Sequence, residues 1–342
     1  MNTNLPHLVF DQMKVQQLSE IILPECIQPY EDAAALIWSQ FDEETEKKLI
    51  ELICNKKVSL DFVLKAIYRA STKNPKQVNF LSDLYSKIST RFDSPIIWTP
   101  PLVPPECRTK EIYEDDPLFN LVAYDRFEEL IEYISKYPID INQTNNDLSL
   151  IECACKYGSS NVFRYLLVNG GKVDEILPKY AVEGGSTEII SLLKQNDCNF
   201  GDCIRIAVIN HHNDIADWII SHYDFNALTV AECLMWCNFT AAIFFLENGF
   251  DVNQIFWSRY KTFNETNPLM CAVDLCSIEL VKYLIDHGGD VNFTFVLLII
   301  YGKFVEILFK THYPVQFCLS WSSFLLVHYV HFYKLIGFNF IL

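Results

Sequence analysis

Carboxylates, thiols and imidazoles are the groups in this 342-residue chain with the most evident chemical potential. Asp42, Glu43, Glu44 and Glu46 form a dense acidic group, and paired carboxylates can divide acid and base duties when burial separates their pKa values. These four precede the apolar repeat of EETEKKLIELIC, however, so they open a helix, where the helix dipole favours acids on a solvated face. Twelve cysteines offer thiolate ligands or disulfide partners. Cys153 and Cys155 are two apart, Cys233 and Cys237 four apart, and Cys271 and Cys276 five apart. None makes the Cys-x-x-Cys pair of a zinc site, and His211 and His212 fall outside such a frame. Glycine-rich phosphate loops, nucleophile elbows of the Gly-x-Ser-x-Gly type and His-Glu-x-x-His are all absent from the sequence. The reading that follows is a non-enzymatic chain with no cofactor and no metal, whose thiols fill small apolar core positions.

Charge narrows the partners. A formal net charge of −16 opposes phosphate-backbone binding, which needs clustered Lys and Arg, so nucleic acid is not an expected partner. A protein or peptide is. The side chains best suited to hold one lie between Asn253 and Asn267, where QIFWSRYKTFNET brings Phe256, Trp257, Arg259 and Tyr260 into one connection. Trp, Tyr and Arg dominate interface energetics because they bury large area at modest entropy cost. Trp236, at the end of a short helix, is a further candidate if it faces a concave side, and a core residue if it does not.

The elements that would carry these residues are short helix pairs. NPLMCAVDLCSIELVKYLIDHGGDVN, from Asn267 to Asn292, opens on an Asn-Pro helix start, repeats Leu269, Ala272 and Val273 at helical spacing, then Leu280, Val281, Leu284 and Ile285, and closes on Gly288 and Gly289. Neither helix can bury its apolar face alone. With Cys276 between the two helices as an anchor, the same frame fits at Asp125, Gly158, Gly185, His211 and Cys237, and more weakly at Gly302. Each anchor precedes a helix of alternating polar residues and apolar pairs, such as EELIEYI, NVFRYLL, TEIISLL, DIADWII and TAAIFFL. Recurrence of this kind marks a solenoid.

At this point the chain resembles the ankyrin-repeat family, whose units open Thr-Pro-Leu-His-x-Ala. The matches are Asn267-Pro268-Leu269-Met270-Cys271-Ala272, Asp116-Pro117-Leu118-Phe119-Asn120-Leu121 and, more loosely, Ser149-Leu150-Ile151-Glu152-Cys153-Ala154, with Gly-x-Asp-Val-Asn closures at Gly249 and Gly288. The opening His is missing, and the anchor spacings of 33, 27, 26, 26 and 39 depart from the family's period of about 33. Short repeats behind a helical N-terminal region resemble the expanded ankyrin families of parasitic protists, grouped as a domain of unknown function. The resemblance implies an all-α, ankyrin-type helix-pair solenoid acting as a protein-interaction scaffold or adaptor. Spacings of 26 and 27 leave too few residues for a hairpin finger, whereas the 39-residue spacing adds them.

Four segments are expected. Residues 1–94 form a helical region, with an amphipathic segment from His7 to Ile22 and further helices over Tyr30–Phe41, Glu43–Cys54, Ser59–Ser71 and Gln77–Ile88, serving as a cap over the first repeat. Residues 95–115, with Pro95, Pro100, Pro101, Pro104 and Pro105, form a stiff linker. Residues 116–292 are the array, and residues 293–342 are an apolar segment with Glu306 as its one acid. That last segment is a degenerate repeat or cap, an aberrant terminus, or, through Phe317–Tyr333, a membrane anchor, which its short length and His328 and His331 disfavour. The absence of a secretory signal and the number of thiols place the chain in a reducing, intracellular compartment.

Overall fold

The computed structural model of the chain describes residues 17–39, 41–96, 100–105, 111–224, 228–257 and 265–290. The chain divides into two compact units, Met1–Asp251 and Val252–Leu342. In the first, four helices come before the repeats: α1 (Gln28–Ser39), α2 (Glu43–Cys54), α3 (Leu60–Ser71) and α4 (Val78–Arg91). Asp42 caps α2 by accepting from the Glu44 and Thr45 amides, which explains the acidic group before it as a helix start. The described part of the expected helix from His7 to Ile22 behaves otherwise. It is a single 3-10 turn over Leu18–Glu20, with Ile21 extended and Ile22 exposed to solvent.

Five helix pairs follow in this unit: α5 (Pro117–Ala123) with α6 (Phe127–Lys136), α7 (Leu150–Lys156) with α8 (Ser160–Val168), α9 (Leu177–Gly184) with α10 (Thr187–Gln195), α11 (Ile204–Ile209) with α12 (Asn213–His222), and α13 (Val230–Met235) with α14 (Phe239–Glu247). The first helices pack in sequence order, α5 on α7, α7 on α9, α9 on α11 and α11 on α13, while α6 meets α8 and α8 meets α10. Neighbour-on-neighbour stacking of this kind is a solenoid. Their shared interior holds Phe119, Leu150, Phe163, Ile189, Phe200, Phe239 and Phe244, each almost wholly buried.

The anchors predicted from the sequence are the points where the chain reverses. Asp125, Gly158, Gly185, His211, Cys237 and, in the second unit, Cys276 all have left-handed φ, between 54° and 70°. At five of them the first helix ends in a Schellman motif. The next residue's amide reaches back to a carbonyl five residues earlier: Arg126 to Leu121, Ser159 to Ala154, His212 to Ala207, Asn238 to Cys233 and Ser277 to Ala272, at 2.8–3.2 Å. Those bonds hold a conformation that costs a non-glycine residue about 1 kcal/mol. Gly184, beside the sixth anchor, is glycine for a different reason: a Cβ there would stand 2.1 Å from the Cys155 carbonyl oxygen, so two successive turns touch through backbone.

Hairpins occur where the spacing allows them. β1 (Thr144–Asn145) pairs with β2 (Leu148–Ser149) across Asn146 and Asp147, both left-handed, as a type I′ turn requires. This hairpin belongs to the 33-residue interval. Through the 26- and 27-residue intervals the described residues contain no strand. In the second unit, β3 (Phe256–Trp257) pairs with β4 (Glu265–Thr266) ahead of α15 (Pro268–Asp274) and α16 (Ile278–Asp286). Asn267 caps α15 through the Met270 amide with Pro268 at the first helical position, and Ser277 caps α16. The weak frame at Gly302 and the apolar segment 293–342 lie outside the described residues. Among the described residues no helix is long and apolar enough to cross a membrane.

The sequence predicts that the N-terminal region caps the first repeat alone, but its contacts run along the inter-helix turns from the first repeat to the fifth. Glu31 accepts from the Phe239 and Thr240 amides at 2.9 and 3.2 Å and so caps α14, while Tyr30, Phe62 and Phe239 form one ring cluster. Trp38 stacks on His211 at 4.2 Å, and Lys76 donates to the Tyr157 carbonyl at 3.0 Å. Asp217 of α12 receives the Leu18 and Ser19 amides. The proline-rich segment is also packed, with Leu102 buried and the Val103 amide donating to Ser82 Oγ.

Candidate functional site

The surfaces able to hold a partner are set by what the turns and fingers leave outside. In the second unit the Asn253–Asn267 insert is an antiparallel hairpin, with Phe256 opposite Thr266 and Trp257 opposite Glu265. Phe256 is half-buried and Ile255 exposed. Arg259 and Tyr260 lie outside the described residues, so of the four insert candidates the structure places Phe256 and Trp257 together at the hairpin base. Asn253 staples that base to the end of the following helix pair, donating to the Gly288 carbonyl at 2.9 Å and accepting from the Asp290 amide at 2.6 Å.

Trp236 is in the first unit and is buried, 8% exposed. It sits at the α13 end with Lys73 Nζ 4.7 Å over its ring, and its carbonyl contacts His211 Nε2 at 2.7 Å. Its ring therefore forms the floor beneath a lysine contributed from the N-terminal helices. Similar pairs recur along the first-helix ends. Lys76 Nζ lies 5.4 Å from both the Tyr124 and Tyr157 rings, and Lys156 Nζ lies 5.9 Å from the Tyr180 ring. Burial pushes the Lys73 and Lys76 ammonium groups down from the usual lysine range. Arg205 pairs with Glu232 at 2.5 Å, and Glu232 also completes a capping box with Thr229.

These lysines escaped the sequence reading because the rings they meet lie on other elements, from 24 residues away for Lys156 and Tyr180 to 163 for Lys73 and Trp236. A weak signal existed: YRASTKNPKQ is a cationic stretch in an acidic protein. On the opposite side, Ile190, Lys194, Ile215 and Trp218 line an open groove of about 510 Å³ between α10 and α12. Trp218 packs against Phe200 and Tyr223, as its place in DIADWII suggests.

Among the described residues six thiols are core groups, whereas Cys26 and Cys54 are exposed and Cys198 and Cys276 half-buried. Cys153, Cys155 and Cys203 are buried, and burial pushes the Cys153 and Cys203 thiols up to about 12 and Cys155 well above its ordinary value. Protonated thiols of this kind are poor nucleophiles and poor metal ligands. His211 is held neutral, its pKa lowered to about 4 by burial against Trp38.

Paired short helices, left-handed turns between them and antiparallel fingers before some pairs define an ankyrin-type repeat protein. Residues 267–293 match the family model "Ankyrin repeat", and residues 169–246 match the model "Domain of unknown function (DUF3447)". The chain thus contains an ankyrin repeat and a DUF3447 region. Among solved structures it is similar to the human ASB11 ankyrin repeat domain, at 18% identity over 52% of this chain and 85% of that one, with a TM-score of 0.37. No curated protein matches it.

Proposed function

We propose that the chain is a non-enzymatic protein-binding scaffold that engages a protein or peptide through side chains displayed on a fixed stack of helix pairs. The observation that carries this reading is the hairpin at the 39-residue interval, whose base is Phe256 and Trp257. A strand pair stapled by Asn253 to the next closure is a rigid mount, and loops on rigid scaffolds are where recognition residues concentrate. The buried, protonated thiols and the neutral His211 are consistent with a chain that performs no chemistry of its own, in a reducing compartment.

The test compares affinity capture by the intact chain with capture by a variant carrying alanine at Trp257, Arg259 and Tyr260. Loss of a captured protein from the variant, with its circular dichroism unchanged, supports the hairpin as the contact. Equal retention removes the hairpin from the proposal.

A further inference from the structure

The overall charge biases any partner towards the basic, yet three lysines stand over aromatic rings along the first helices. Lys73 and Lys76 come from the end of α3 and the turn after it, outside the repeats, and their ammonium groups lie over Trp236, Tyr124 and Tyr157. Lys156, on α7, lies over Tyr180 of α9. Among the described residues none of the three is in an ion pair, in a chain with 43 acidic residues. Glu183 lies near Lys73 and Asp125 near Lys76 without forming an ion pair with either, and Glu232 is occupied by Arg205 and by its own capping box. Glu183 and Arg205 both lie close enough to perturb Lys73 electrostatically, as does Lys156, so these groups share one neighbourhood.

We infer that Lys73, Lys76 and Lys156, with Tyr157, Tyr180 and Trp236 beneath them, form a docking strip for an extended, Asp- and Glu-rich segment of a partner protein. The inference rests on the protein-binding reading above and specifies its chemistry. All three lysines are half-buried, so a carboxylate can reach an ammonium that already lies over a ring. The cations lie over rings of α5, α7, α9 and α13 with no single point of convergence, which suits a chain with spaced charges over a small anion. A nucleic acid is disfavoured because its unbroken line of phosphates would meet the −16 field of the whole protein, whereas a short acidic segment carries few charges.

The experiment pans a displayed library of random peptides on the full-length chain, and measures enriched peptides by fluorescence anisotropy against three proteins. These are the intact chain, K73Q/K76Q/K156Q, and K87Q/K136Q, which alters two exposed, already paired lysines. The expected result is enrichment of Asp- and Glu-rich peptides, about tenfold or greater weakening in the triple variant, and unchanged binding in the double variant. Single K156Q, which alters a half-buried side chain lying over the Tyr180 ring, provides a reading if the triple variant does not fold, with weaker binding again expected. Enrichment of neutral or basic peptides overturns the strip and leaves the scaffold reading standing. No enrichment at all removes both. Equal binding by the lysine variants, or a single-stranded oligonucleotide bound more tightly than the peptides, overturns the assignment.

Discussion

The repeats with fingers and the repeats without them solve the same packing problem in different ways. Before α7 and before α15, a hairpin and one asparagine join each helix pair to the next closure. Asn142 donates to the Gly170 carbonyl and accepts from the Lys172 amide, as Asn253 does with Gly288 and Asp290. From Gly158 to Cys237, a stretch that mostly overlaps the 169–246 match, the described residues have no hairpin. There the turn residues reach across instead: His212 Nε2 meets the Glu183 carbonyl at 3.2 Å and Asn238 donates to the Val208 carbonyl at 2.9 Å. The N-terminal helices complete the support by packing along the same turns. Shortening an ankyrin-type repeat thus removes a finger and transfers its stabilising role to buried side chains and to a bundle outside the array.

The most demanding test of that comparison is Phe239→Ala. Phe239 is fully buried between Tyr30 and Phe62, and its amide is one of the two capped by Glu31. Removing the ring deletes the apolar link between bundle and array, and urea denaturation should show a loss of about 3–5 kcal/mol. A loss below about 1 kcal/mol would mean that the site collapses freely and that the bundle is not a buttress. Gly184→Ala probes the direct contact between fingerless turns. Its Cβ would meet backbone on three sides, at Cys155, Lys156 and Gly158, which cannot rotate away, and about 3 kcal/mol should be lost. The same measurement on Gly170→Ala separates steric from conformational cost, because Gly170 has positive φ and open space around it.

Much of this division was legible in the residues. The anchors could be placed because a Schellman turn demands a left-handed residue at a fixed distance from apolar pairs, and this pattern survives even where glycine is replaced by Asp125, His211 or Cys237. Finger presence followed from spacing, since a hairpin needs residues that a 26-residue interval lacks. The position of the N-terminal helices was not legible. Glu31 and Phe239 are 208 residues apart, and nothing local in α1 marks Glu31 as the cap of a distant helix. The β1–β2 hairpin left a signal in Asn146-Asp147, two residues that tolerate left-handed geometry, but its strands are too short to show alternation. Trp236 could face either way on pattern alone, because whether a ring at a helix end is covered depends on Lys73, which no periodicity connects to it.

Acid should distinguish the two kinds of repeat by a smaller margin. His211 has its pKa lowered to about 4 from 6.5 by burial, so its contribution is complete above about 6.5 and is lost as pH falls towards 4. His212 shifts the same way through burial, whereas burial raises Glu31, whose protonation favours the folded state and works in opposition. Going from pH 7 to pH 5 should therefore lower stability by about 2 kcal/mol through His211 alone. His211→Asn keeps a residue that tolerates left-handed φ and removes the titration, so its denaturation midpoint should change less between the two pH values. An unchanged pH dependence in that variant would place the acid sensitivity elsewhere.

The smallest effect belongs to the fingers. Asn142 is a half-buried staple on the finger side of the first unit, and water can replace both of its hydrogen bonds. Asn142→Ala should then cost only about 1 kcal/mol, because an accessible hydrogen bond contributes little net stability and leaves no dry, unpaired group behind. Asn238→Ala is its counterpart in the fingerless stretch. Asn238 is fully buried, donates to Val208 and Asn213 and accepts from the Ala241 amide, so its loss leaves three groups without their partner. Side by side in one urea series, the asparagine of the fingerless stretch should be the costlier to remove. Equal losses would show that the fingers carry as much of the stack as the turns do, and would withdraw the claim that the bundle and the turn ladder took over that role.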